Sequence, residues 1–121
     1  MSTPSDLARF VIDLMQAYRG ISGRLMTSKT VKAMLQPEVD LDPRAFGTAL
    51  SQGLGVFVKG SGSDLAFLHP GNNYPGSVCW LVGFPEQGKG AVLMLNGANG
   101  EQLALEILAA LAGVYQWPAL M

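Results

Sequence analysis

Hydrophobic positions first recur at helical spacing. Leu7, Phe10, Val11, Leu14 and Met15 fall on one face of a segment running to about Tyr18. Thr3 before Pro4, with Asp6 three places on, is a helix start: a capping hydroxyl, a proline with no N–H to lose, and an acid facing free amides. Gly20 is the corresponding stop. A shorter helix is predicted from Ser28 or Lys29 to Gln36, with Val31, Met34 and Leu35 inward and Pro37 ending it. Residues 37–52 hold Pro37, Pro43 and several acids, and read as an irregular connection.

From Gly53 the period falls towards two. Leu54 to Val58 reads as a strand, Gly60 to Ser63 as a turn, and Asp64 to His69 as the returning strand. After a loop from Pro70 to Gly76, Ser77 to Phe84 is a third strand, and Gly90 to Asn96 a fourth beyond the turn at Pro85. Links this short favour an antiparallel meander. The third and fourth strands are apolar on both faces, as strands covered by a layer on each side should be. Asn99 to Gln102 then starts a last helix, whose broad stripe comprises Leu103, Ile107, Leu108, Leu111 and Val114. The expected fold is α+β in a single unit, 1–121. Helices occupy 1–36, a four-stranded antiparallel sheet 53–96, and a C-terminal helix 99–116 packs on that sheet.

Composition sharpens this. Apolar residues make up 49% of the 121 and charged residues 14%. A small domain has much surface to cover, so so few charges imply that some of it is normally covered by another body. The net charge of −1 and the scattered Lys and Arg exclude a phosphate-backbone surface, so nucleic acid is not an expected partner. No apolar run is long enough to span a membrane, and the N-terminus lacks the basic start and apolar core of a signal peptide. As written the chain reads as cytoplasmic. A lone cysteine, Cys79, permits no internal disulfide, and between Val78 and Trp80 it reads as a buried, inert thiol. One His and one Cys cannot build a metal site of their own, and no cofactor is implied.

Four stretches, in this order, resemble the end of the serine β-lactamase, penicillin-binding protein and related esterase superfamily. They are Gly53-Leu54-Gly55 opening a strand, His69-Pro70-Gly71-Asn72-Asn73-Tyr74-Pro75-Gly76, Phe84-Pro85-Glu86 leading into AVLMLNG, and the terminal helix running to Trp117-Pro118. Upstream, Thr3 to Phe10 and Lys29 to Leu35 look like the preceding helices of its esterase and alkaline-peptidase branches. In that superfamily a basic residue, a Ser or Thr and a glycine line one active-site wall. The resemblance implies that His69 holds the basic position, Gly71 the glycine that allows close approach, and Asn72 the backbone N–H of an oxyanion hole. Pro70 stands where a hydroxyl is usual, which leans towards an esterase-like or amidase-like parent and away from β-lactam recognition.

Catalysis in the superfamily rests on Ser-x-x-Lys, in which the lysine helps activate the serine. The residues three places after Ser2, Ser5, Ser22, Ser28, Ser51, Ser61, Ser63 and Ser77 are Ser5, Ala8, Leu25, Val31, Leu54, Asp64, Ala66 and Trp80. None is lysine. The Tyr-x-Asn or Tyr-x-Ser element is also missing, since Tyr18, Tyr74 and Tyr115 precede Arg-Gly, Pro-Gly and Gln-Trp. A triad of Ser63, Asp64 and His69 is conceivable on paper, but the first two better serve a hairpin turn. The expectation is a C-terminal portion of a serine hydrolase, inactive alone and partnered by an N-terminal half, from a parent that could be periplasmic or secreted. The alternative is a free-standing binding or assembly module. Either way the last strand would offer an unpaired apolar edge, which predicts a homo-oligomer, most simply a two-fold dimer joined by sheet edges or by the uncovered apolar face.

Overall fold

The computed structural model describes residues 1–21, 24–118 and 120. Helix α1 spans Pro4–Tyr18, and the Thr3 hydroxyl accepts the Asp6 N–H at 3.1 Å, as its sequence dictates. It ends at Arg19, followed by Gly20 at φ +72°. Helix α2, Ser28–Met34, is capped by Thr27, whose hydroxyl accepts the Thr30 N–H at 3.2 Å. Val31 and Leu35 are buried and Met34 packs beside them.

The sheet has six strands, not the four expected. Strands β1 (Val39–Asp40) and β2 (Ser51–Gln52) lie within the stretch read as a connection, with a one-turn helix α3 (Pro43–Phe46) between them. Two residues per strand are too few to show a period, which is why the alternation gave no sign of them. The rest of the sheet is β3 (Phe57–Lys59), β4 (Ala66–Asn73), β5 (Ser77–Phe84) and β6 (Lys89–Leu95). A 3-10 turn over Gly62–Asp64 joins β3 to β4. Every strand pairs antiparallel with its predecessor, in the order β1-β2-β3-β4-β5-β6.

Both faces of the sheet are covered, as the doubly apolar β5 and β6 require. On one face α1 and α2 bury Val11, Leu14, Met15 and Val31 against Val58, Phe67 and Leu81. On the other, helix α4 (Gly100–Tyr115) buries Leu108 against Ala66, Leu68, Val82 and Phe84. The Phe67 ring lies over Gly83, its cross-strand partner; a Cβ there would meet the ring at 2.5 Å, so only glycine leaves it room. Burying the largest of these side chains contributes roughly 1.5–3 kcal/mol each.

Helix α4 departs from the expected stripe. Its inward line is Gly100, Ala104 and Leu108, whereas Leu103 is 47% exposed and Val114 75% exposed. Asn99 precedes it without a side-chain capping bond. The helix runs along the last strand: a Cβ on Gly100 would lie 3.2 Å from the Leu95 side chain, and at the other end Lys89 Nζ donates to the Tyr115 carbonyl at 2.8 Å. No helix among the described residues is long and apolar enough to cross a membrane.

Candidate functional site

The three residues singled out in the sequence lie on β4, which is longer than its turn-rich composition suggests. Pro70 to Asn73 continue the strand, in register with Trp80 to Ser77 of β5. On its other side β4 meets β3 only from Ala66 to Leu68. His69 to Asn73 therefore have a strand on one side alone. Pro70 fits this position because it has no N–H to contribute to a ladder.

Side chains alternate along the strand. His69 follows the α1/α2 face, between the pairings of Phe67 and Gly71, while Asn72 follows Leu68 onto the α4 face. The His69 imidazole is fixed from outside the strand: Nδ1 lies 2.8 Å from the Gly55 carbonyl, in the link between β2 and β3. A carbonyl only accepts, so Nδ1 carries the proton in this contact, and Nε2 is left to accept or to hold a second proton. Gly55 has φ +79°, a left-handed conformation that glycine adopts without strain. The Phe57 ring stands 6.4 Å from the imidazole.

Gly71 leaves room rather than filling a need of this chain. An added Cβ would meet only the Cys79 carbonyl, at 3.7 Å, an ordinary contact. The Asn72 side chain is already engaged, donating through Nδ2 to Glu101 Oε2 at 3.1 Å. A cleft of about 210 Å³ lies here, lined by Pro70, Gly71, Asn72, Val78, Trp80 and Glu101. Gly55 and Glu101 were not legible as site residues. The first acts through its carbonyl and the second meets β4 from the following helix, so neither leaves a local motif.

Other arrangements do not form. Ser63 and Asp64 sit in the 3-10 turn at the start of β4, and His69 lies five residues from Asp64, on the order of 15 Å along an extended chain. They do not assemble a triad. Among the described residues, no three His, Cys, Asp or Glu side chains group as metal ligands. Cys79 is half-buried opposite Gly71, and burial pushes its thiol pKa up, away from the reactive thiolate.

Comparison with known proteins gives one result. The model of the family described as Beta-lactamase matches residues 1–115. No curated protein and no solved structure matches the chain.

Proposed function

The chain belongs to the beta-lactamase family, and from that premise we propose that it supplies the sheet and one active-site wall of a serine hydrolase, without the nucleophile. The observation that carries this reading is the one-sided stretch of β4, with a fixed imidazole at one end. The nitrogen of Pro70 belongs on the side of β4 that has no partner strand. Backbone direction alternates along a strand, so two residues on the Asn72 N–H points the same way. That N–H is suited to one half of an oxyanion hole, where a donor fixed before reaction stabilises developing negative charge. His69 would bring a donor, or a positive charge when doubly protonated, to the same edge.

These 121 residues contain no Ser-x-x-Lys, so the attacking serine and its lysine must come from a segment outside them. Without a hydroxyl at Pro70, the substrate class favoured is a simple ester or amide over a carboxylate-bearing β-lactam. The test is hydrolysis of p-nitrophenyl acetate and nitrocefin by the purified chain and by its His69→Ala variant. The expected result is no turnover by either. Turnover by the parent chain above the variant would overturn the reading.

A second reading, a free-standing assembly module, is favoured by the flank formed by β6 and α4. Strand β6 ends the sheet order, and its only charge is Lys89 at one end. Proteins guard such edges with charge, proline or bulges, and this one has almost none. Along α4, Leu103, Ile107, Ala110 and Val114 recur at spacings of four, three and four, the repeat of a helix–helix seam. Two copies joined about a two-fold axis would pair β6 with β6 and α4 with α4. Sedimentation at micromolar concentration is expected to give a dimer; a monomer would refute it.

A further inference from the structure

On the face of the sheet opposite His69, a second cavity of about 250 Å³ opens under the start of α4. Phe57 and Trp80 form its aromatic walls, with Leu68 and Leu108 behind them. Phe46, 45% exposed, stands at its mouth with its ring 5.7 Å from that of Phe57. The cavity shares Pro70, Trp80 and Glu101 with the smaller cleft along Gly71 and Asn72. The two form one groove, aromatic at one end and polar at the other, with the Glu101 carboxylate at their junction.

Among the described residues, Glu101 is the only ionisable side chain lining either part. Asn72 Nδ2 occupies one of its oxygens and holds the carboxylate towards β4, leaving the other oxygen free to accept. Lys59, on the same face, does not line the groove, and its Nζ is already paired with two residues of the cavity wall, the Thr48 hydroxyl and, at 2.9 Å, the Leu120 carbonyl. We infer that this groove binds a small apolar molecule carrying an ammonium group, its hydrocarbon between Phe57, Trp80 and Leu108 and its cation on Glu101. Aromatic faces attract a cation as well as hydrocarbon, and a charge-assisted hydrogen bond to a held carboxylate fixes its orientation. This site shares the cleft along Gly71 and Asn72 with the proposed active-site wall, but it uses neither the His69 imidazole nor the Asn72 backbone N–H, so its test does not depend on hydrolysis.

The experiment uses 4-phenylbutylamine and its isostere 4-phenylbutanoate, read by Trp80 fluorescence in a Trp117→Phe background. Trp117 suits that replacement because its buried Nε1 has no hydrogen-bond partner to lose. Saturable binding of the amine is expected with a Kd on the order of a millimolar or tighter, the range of a ligand of this size. The carboxylate should bind at least about tenfold more weakly, the size of a charge-assisted contact. Glu101→Gln keeps an oxygen for Asn72 and should abolish that discrimination. Ala45→Phe, on the exposed rim of the same cavity, should weaken the amine by filling its space, with circular dichroism checking that both variants fold. No saturable change, equal binding of amine and acid, or indifference to both substitutions would overturn the proposal.

Discussion

At the scale of single residues, environment decides reactivity. Cys79 lies between Gly71 and Met94 across the sheet, and its thiol is held above the ordinary pKa of 9.0 by burial. The folded protein therefore disfavours the thiolate, and the penalty appears once pH rises past the value an unfolded thiol would have. Stability associated with this group is full below about pH 9.0 and declines as pH rises through the higher folded value. Labelling by a thiol-specific disulfide reagent at pH 8 is expected to be slow in the folded chain and fast in urea. Equal rates in the two states would contradict the burial argument. His69 was singled out in the sequence by its place among the stretches that carry the family resemblance. Its partner was not, because the Gly55 carbonyl that fixes it is a backbone group fourteen positions away with no side-chain signature.

At the scale of elements, the sequence was read best where periodicity is long. The cap and inward face of α1, and the bounds of β5, follow from patterns of eight residues or more. Strands β1 and β2 did not show, and the second half of β4 was read as a loop because Pro-Gly-Asn-Asn favours turns. Pairing with β5 overrides that local preference, a tertiary effect that no window of β4 contains. Helix α4 failed differently: an almost wholly apolar helix has no contrast from which to choose its inner face. The structure makes the choice, and it is testable. Leu108→Ala should cost about 2–5 kcal/mol in denaturant unfolding, as a buried leucine lost to a cavity does. Leu103→Ala, on the exposed side, should change stability by no more than about 0.5 kcal/mol. Comparable losses at the two positions would mean that α4 is rotated from the orientation described.

At the scale of the whole molecule, the low charge content noted in the sequence goes with large apolar side chains left on the surface. Leu103, Val114 and Tyr115 of α4 are among these exposed side chains, beside the edge strand β6 where the proposed seam lies. Placing charge there separates association from folding. On the dimer reading proposed above, the double variant Leu103→Glu, Val114→Glu should sediment as a monomer at micromolar concentration, where a dimer is expected for the parent chain, with its unfolding midpoint little changed at low protein concentration. Dimer persisting in the variant would move the interface away from this flank. The family assignment was legible because the order of several weak motifs is specific even though none is alone. The groove at Glu101 was not, because its walls come from α3, β3, β4, β5 and α4, which only the folded sheet brings together.

The strictly sequential sheet has a consequence for the order of events in time. Each strand finds its neighbour next along the chain, and α4 closes over β5 and β6 as soon as the last strand is made. Contacts so local close small loops, which favours rapid assembly one hairpin at a time. Helix α1 breaks the rule. It packs on β5 and β6, strands far from it along the chain, so α1 must wait for them before it can bury Val11 and Leu14. Until they arrive, one face of the growing sheet stays wet.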